Sequence, residues 1–379
     1  MSGIHISAQF DSGNIEVVDA GKPDDIQLRI RQDSGSEFYQ WFHFRVQGAR
    51  DQALRLRLLN AAGASYPDGW DDYRAVASYD RKHWFRVPTR YDGSELVIEH
   101  TPAQDSLYYA CFAPYSFERH LDLIARAGQS ERVRIERLGE TLDGRDFDML
   151  RIGEPAEGRR TLWVTARQHP GESMAQWCAE GLIERLLDRH DAQAARILEE
   201  AVIYLVPNMN PDGAVRGHLR TNALGVNLNR EWDSPSLERS PEVYCVRRRM
   251  EETGVNLYLD LHGDEGLPCN FIAGQEGLPW APEALLEQER QFERDLAAAN
   301  ADFQLERGYP IGKFVPEEAI TLASNWVGKR FQCPAMTLEM PFKDYDLRPD
   351  PLQGWSPERS ARLGASLLDP ILAWLGRRS

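Results

Sequence analysis

The stretch Gln168-His169-Pro170-Gly171-Glu172-Ser173 places an imidazole and a carboxylate with two residues between them, a spacing that gives a two-point grip on a metal ion. Zinc in a catalytic site commonly takes three nitrogen or oxygen ligands from the protein and keeps a fourth position for water. Taken alone the pair is a weak signal, because His-x-x-Glu also occurs in solvated surface loops. The remainder of the chain must therefore supply a third ligand, an acid or base, and a grip on substrate. His262 closes the apolar run Val255 to Leu261 and is followed by Gly263, which leaves it room, so it reads as the third ligand. Glu339 is the single carboxylate inside the apolar run Pro334 to Pro341. Burial raises the pKa of such a group and a neighbouring cation lowers it again, which is the setting of a general base beside a metal site. Arg220 and the pair Asn229-Arg230 share the loop from Gly217 to Trp232, and guanidinium donors fit a carboxylate in a bidentate fork.

These residues need a scaffold, and its outline follows from the periodicity. Thr161 to Ala166 reads as a buried strand ending just before His169, and a helix follows Ser173. From Val133 onward continuous apolar strands alternate with amphipathic helices, including Ala201 to Val206, Leu257 to Leu261 and Ala335 to Met340. That pattern predicts an α/β fold with a mostly parallel or mixed central sheet flanked by helices. Ligands in open α/β sheets bind beyond the carboxyl ends of the strands, where both His169 and His262 fall. Before Pro114 the pattern is different. Short period-two runs such as Trp41 to Val46 and Ala53 to Leu59, separated by Ser, Gly, Pro and Asp clusters, predict an antiparallel β-sandwich. The expected division is a β-sandwich domain over 1–115, a linker helix over 116–130 capped by Ser116, and a catalytic domain over 131–379. A last helix is expected from Ser356-Pro357 to about Leu375.

Composition narrows the partners. With 44 Lys and Arg against 59 Asp and Glu in 379 residues, the net charge of -15 argues against nucleic acid or an anionic membrane. Residues 1–10 carry neither a basic segment nor a long apolar run, and no stretch approaches the length of a membrane span. Five separated cysteines, with no Cys-x-x-Cys pair, fit the reduced thiols of a cytoplasmic protein.

His169-x-x-Glu172, Arg220, Asn229-Arg230, His262 and Glu339 stand in the order and approximate spacing of the zinc metallocarboxypeptidases of the carboxypeptidase A type. Further blocks narrow this: His-Pro-Gly-Glu, Asn210-Pro211-Asp212-Gly213, Asn227-Leu228-Asn229-Arg230, Asp260-Leu261-His262-Gly263 and Thr337-Leu338-Glu339. Behind a β-rich region containing Trp41-Phe42-His43-Phe44, they resemble the cytosolic carboxypeptidase subfamily over nearly the whole chain. The resemblance implies one Zn2+ held by His169, Glu172 and His262, and a substrate that is a peptide or protein with a free C-terminus. It further implies that Asn229 and Arg230 hold the terminal carboxylate. Arg220 would stabilise the oxyanion, a contribution of roughly 3 kcal/mol for a well-aimed donor, and Glu339 would activate water and protonate the leaving amine. Where the pancreatic enzymes carry an aspartate behind the first ligand histidine, this chain has Asn227, whose amide oxygen accepts the imidazole N–H without charge. The tyrosine that closes over substrate in those enzymes has no assigned counterpart, although Tyr309 lies in the right region.

The subfamily is associated with removing glutamates, which requires a basic pocket, and the candidates nearest in sequence are Lys329, Arg330 and Lys343. Two other readings use the same residues: an aspartoacylase-like amidohydrolase of N-acyl amino acids, and a non-catalytic binding protein on the same fold.

Overall fold

The computed structural model describes residues 3–377. Alternating apolar residues over the first 110 positions fold into ten short strands: β1 (His5–Ser7), β2 (Glu16–Asp19), β3 (Ile26–Arg29), β4 (His43–Gln47), β5 (Leu54–Leu58), β6 (Val76–Ser78), β7 (Phe85–Arg86), β8 (Thr89–Tyr91), β9 (Leu96–His100) and β10 (Ser106–Ala110). They form two five-stranded sheets, ordered β1-β4-β10-β6-β7 and β2-β3-β5-β9-β8. Every pairing is antiparallel except β3 with β5. In β5 the leucines at 54, 56 and 58 are buried while Arg55 and Arg57 face outward, and Arg57 pairs with both Asp25 and Glu95 at 2.7 Å. Side-chain alternation thus gives this sheet one apolar and one wet face.

Ser116 caps the helix Phe117–Ala127 through its hydroxyl, which accepts the Arg119 N–H at 3.2 Å. Beyond it lies a mixed seven-stranded sheet of β11 (Val133–Glu140), β12 (Asp146–Ile152), β13 (Arg160–Ala166), β14 (Ala201–Val206), β15 (Leu257–Asp264), β16 (Phe271–Ala273) and β17 (Ala335–Pro341). Its order is β11-β12-β14-β13-β15-β17-β16, with the four central strands parallel and the edges antiparallel.

Both faces are covered, as a parallel centre requires. Leu162, Val164, Leu257, Leu259, Met336 and Leu338 join a core shared with the helix Ser173–Leu187 and with Leu363 of the helix Pro357–Ser366. Trp163, Tyr258 and Ala335 point the other way, into a core with the helices Pro241–Thr253 and Ala323–Phe331. Along this second face the side chains change from apolar to Thr165, Asp260 and Thr337, and then to His262 and Glu339. From β13 the chain goes first to β14 on one side and later to β15 on the other, so the carboxyl end of β13 is a topological switch point.

The helix expected from Ser356 to about Leu375 is two helices, Pro357–Ser366 and Leu368–Gly376. Pro370 has no N–H to give to the carbonyl four residues back, and it sits in the first turn of a new helix instead. Five free cysteines are buried. Among the described residues no helix is long and apolar enough to cross a membrane.

The helix that begins beside Glu172 is held by backbone contact with the helix Pro357–Ser366. A Cβ on Gly181 would lie 2.0 Å from the Ala361 carbonyl oxygen, and one on Gly364 would lie 1.8 Å from that of Cys178. In an exposed helix Gly→Ala gains about 1 kcal/mol, whereas forced overpacking costs about 1–3 kcal/mol. Gly364→Ala should therefore lower the denaturant midpoint in equilibrium unfolding, and a raised midpoint would show that the two helices are not in contact.

Candidate metal centre and catalytic cleft

His169, Glu172 and His262, distant in sequence, each offer one ligand atom, and those atoms lie within 4.8 Å of one another. The turn after β13 brings the first two in. Arg167 adopts a left-handed backbone at φ 60°, unusual for a non-glycine residue. It is held there by three hydrogen bonds from its buried guanidinium, to the carbonyls of Pro170 (2.9 Å) and Tyr115 (2.8 Å) and to the Gln176 side chain (2.8 Å). Glu172 occupies the N-cap of the following helix, where the helix dipole favours a negative charge. Its Oε1 meets His169 Nδ1 at 2.6 Å and its Oε2 meets His262 Nδ1 at 2.8 Å. Gly263 has the room the sequence implied for a reason: a Cβ there would be 2.4 Å from Met174 Sδ and 3.3 Å from Glu172 Cγ.

Behind each imidazole stands an acceptor. His169 Nε2 faces Asn227 Oδ1 at 3.1 Å, and His262 Nε2 faces Asp260 Oδ2 at 2.9 Å. Asp260 is oriented in turn by Thr165 at 2.7 Å and by Gln168 at 2.5 Å. Both Nδ1 atoms face the Glu172 carboxylate, and an acceptor behind each Nε2 fixes the rings as ligating histidines are normally braced. Burial, with Arg220 adding to it, drives the His169 pKa down to about 3. Burial also pulls on His262, but Asp260 and Glu172 raise it well above its ordinary value. Two imidazoles and one carboxylate, all buried, form a donor set that fits zinc and leaves a position open.

Glu339 lies directly opposite His262 in the β15–β17 register. It is 7% exposed, its Oε2 has no hydrogen-bond partner among the described residues, and its Oε1 is 3.5 Å from the Tyr309 hydroxyl. Burial, reinforced by Glu172, Asp264 and Glu265 against the pull of His262, raises its pKa well above the carboxylate range. Tyr309 belongs to this cleft, donating to Asp264 Oδ2 at 2.6 Å and packing edge-on against Phe271.

Arg220 reaches the cleft between the rings of Phe38 and Tyr66, 5.6 and 5.4 Å from its guanidinium carbon. Its pKa, drawn down by burial, is carried above the ordinary value by Tyr66, Glu172 and Glu265. Arg230 stands over Phe314 at 5.3 Å and donates to the Asn229 carbonyl at 2.6 Å. Asn229 Oδ1 accepts the Ala323 N–H at 2.8 Å, which turns its amide nitrogen away from that helix. Among the described residues neither arginine has an ion-pair partner. Asn229, Glu339, Tyr309, Ser324, Asn325 and Thr337 all line one cavity of about 440 Å³.

The basic residues chosen for nearness in sequence are elsewhere. The inner face of the helix Ala323–Phe331 is formed by Ser324, Asn325, Val327 and Gly328, so Lys329 and Arg330 point outward. Lys329 covers the Trp280 ring at 4.8 Å, and Arg330 forms a two-point pair with Glu251. Lys343 is buried against the N-terminal turn Pro67–Trp70, 3.4 Å from the Asp68 carbonyl. Three cations line the cavity: Arg290 and Arg307 are paired with Glu283, Glu287 and Asp346, whereas Lys313 has no ion-pair partner among the described residues, its Nζ lying 3.1 Å from the centre of the Tyr309 ring and its pKa lowered by burial despite the charges of Asp264 and Glu339. It sits in an irregular loop that carried no pattern. Asp260 was readable, since two positions before His262 on a strand is the same face. Glu265, raised to about 8 by burial with Glu172 beside it, had no such signal.

The family model for the cytosolic carboxypeptidase N-terminal domain matches residues 6–112, and that for zinc carboxypeptidase matches residues 118–353. A metallo-carboxypeptidase from Burkholderia cenocepacia is 46% identical, superposing with a TM-score of 0.96 over 98% of this chain and 99% of that one. A Pseudomonas aeruginosa metallo-carboxypeptidase, solved with (2-guanidinoethylmercapto)succinic acid, is 48% identical with a TM-score of 0.94 over 97% of this chain and 98% of that one. Mouse cytosolic carboxypeptidase 6 is 27% identical across 76% of this chain, a match that spans 56% of the mouse protein. With the first match over the two N-terminal sheets and the second over the seven-stranded sheet and the cleft at the carboxyl ends of β13, β15 and β17, the chain belongs to the zinc carboxypeptidases, as a metallocarboxypeptidase of the cytosolic carboxypeptidase group.

Proposed function

We propose that this protein removes residues from the carboxyl end of peptides or protein tails, with His169, Glu172 and His262 holding the zinc. The observation that carries the reading is Glu339 Oε2, buried and unpartnered among the described residues, on the strand position beside His262. Zinc bound there would supply Lewis acidity, polarising the scissile carbonyl and making water more acidic. Glu339 takes a proton from the attacking water and returns it to the leaving nitrogen, a task suited to a carboxylate whose proton affinity burial has raised. Arg220 donates to the oxyanion as it develops. Asn229 and Arg230 hold the terminal carboxylate and so confine cleavage to the last bond. The succinic acid ligand of the Pseudomonas aeruginosa relative supports a carboxylate-binding site of this kind.

For the side chain of the departing residue, the cavity supports an acidic preference, with Lys313 in place of Lys329 and Arg330. Its ammonium lies on the Tyr309 ring and is without an ion-pair partner among the described residues. The buried unpaired cysteines and the names of the relatives support a cytoplasmic setting.

Mass spectrometry of a peptide library should show single residues lost from carboxyl ends, N-acyl amino acids left intact, and activity abolished by chelator and restored by zinc. Internal cleavage, or turnover that survives metal removal, refutes the reading. Glu339→Gln should lower kcat by about 10²–10⁴-fold with zinc content still near one per chain. Among peptides ending in Glu, Asp, Leu, Phe or Lys, those ending in Glu or Asp should react first, and Lys313→Ala should reduce that margin by about 10-fold, the worth of a weak charge pair of 1.4 kcal/mol. Preference for Phe or Lys in the parent protein removes the acidic assignment.

A further inference from the structure

We propose that Asp33, in the N-terminal β-region, is a positioning residue for hydrolysis: its carboxylate fixes the backbone of residues 219–221 and thereby aims Arg220. The inference rests on the role given to Arg220 above.

Asp33 is 2% exposed, and its side chain has no cationic partner among the described residues. All its side-chain acceptor contacts go to one short segment 186 residues away. Oδ1 accepts the Leu219 N–H at 2.6 Å, while Oδ2 accepts the N–H of Arg220 at 2.8 Å, the N–H of Thr221 at 2.9 Å and the Thr221 hydroxyl at 3.0 Å. Three successive backbone N–H groups converging on one point form an anion-binding concavity, and here the anion is a side chain from the other part of the chain. The turn around it is anchored separately. Ser34 N–H donates to His218 Nε2 at 3.0 Å, and the His218 ring meets the Thr221 carbonyl at 3.0 Å through Nδ1. The same turn delivers Phe38, one of the two rings that flank the Arg220 guanidinium.

The arrangement leaves the Arg220 side chain uncommitted while its main chain is fixed. Charge-assisted hydrogen bonds from a carboxylate are about twice as strong as neutral ones, and a displacement of about 1 Å in a positioned group can cost on the order of 100-fold in rate. Asn in place of Asp keeps one acceptor oxygen and turns an N–H₂ donor toward N–H donors, so the 219–221 backbone loses its common anchor.

Asp33→Asn, Arg220→Ala and the double variant should be assayed in the full chain for kcat, KM and bound zinc. Asp33→Asn should lower kcat by at least 10-fold, with KM changed less than about 3-fold and zinc near one per chain. In the Arg220→Ala background it should add less than 2-fold, because the group it aims is gone. A loss that multiplies with Arg220→Ala, or a fall in zinc content, overturns the proposal by making Asp33 a general structural residue. Parental kcat in Asp33→Asn with Arg220→Ala impaired removes the role of Asp33 alone, while parental kcat in Arg220→Ala removes the role of Arg220 on which it rests. Should Asp33→Asn fail to fold, Thr221→Ala deletes a single contact to the same carboxylate. It should then lower kcat several-fold, again without addition to Arg220→Ala; an additive loss overturns the proposal equally.

Discussion

A single buried carboxylate, Glu172, touches two imidazoles with its two oxygens, and much of the catalytic half is arranged so that it can. Each contact comes from a different part of the sequence: His169 from the turn after β13, His262 from the end of β15. Bringing three polar groups out of water is unfavourable unless each is paired, and the pairing continues outward through Asn227 and Asp260 to Thr165 and Gln168. The apolar part of the same sheet face, Trp163, Tyr258 and Ala335, lies behind this network. Parallel strands in fixed register then carry the remaining requirement, because the side chain beside His262 on the next strand is Glu339.

The two parts of the chain are joined at the cleft rather than merely tethered. Phe38 and Tyr66 flank Arg220, Gly69 packs against Glu265, and the guanidinium of Arg86 donates to the carbonyls of Phe342 and Lys343 just past β17 and of Trp355 just before the helix Pro357–Ser366. Such contacts give the N-terminal region a direct share in the shape of the site.

The candidate ligands His169 and His262 and the carboxylate Glu339 stood out in the sequence because each follows, ends or interrupts an apolar strand, and a polar residue in that position needs a reason. The mixed sheet followed from continuous apolar runs. Strands β1, β6, β7 and β8 have only two or three residues, too few to display a period, and went unread. Lys329 and Arg330 illustrate the opposite failure. They are close to Glu339 along the chain, but the helix that carries them turns them to solvent, whereas Lys313, farther away and in an irregular loop, faces the cavity. Asp33 was invisible for a related reason: nothing local distinguishes an aspartate that will bond a segment 186 residues later.

The five buried thiols lend the molecule a built-in chemical gauge of its own integrity. Burial lifts Cys111 to about 12 and Cys269 to about 11, so at neutral pH almost none of either exists as the thiolate that reacts with alkylating reagents. Cys111 lies at the end of β10 and Cys269 just before β16, so modification at one or the other reports which part of the chain has opened. Uptake of an alkylating label, followed over time, would therefore register local opening events that leave the average structure unchanged.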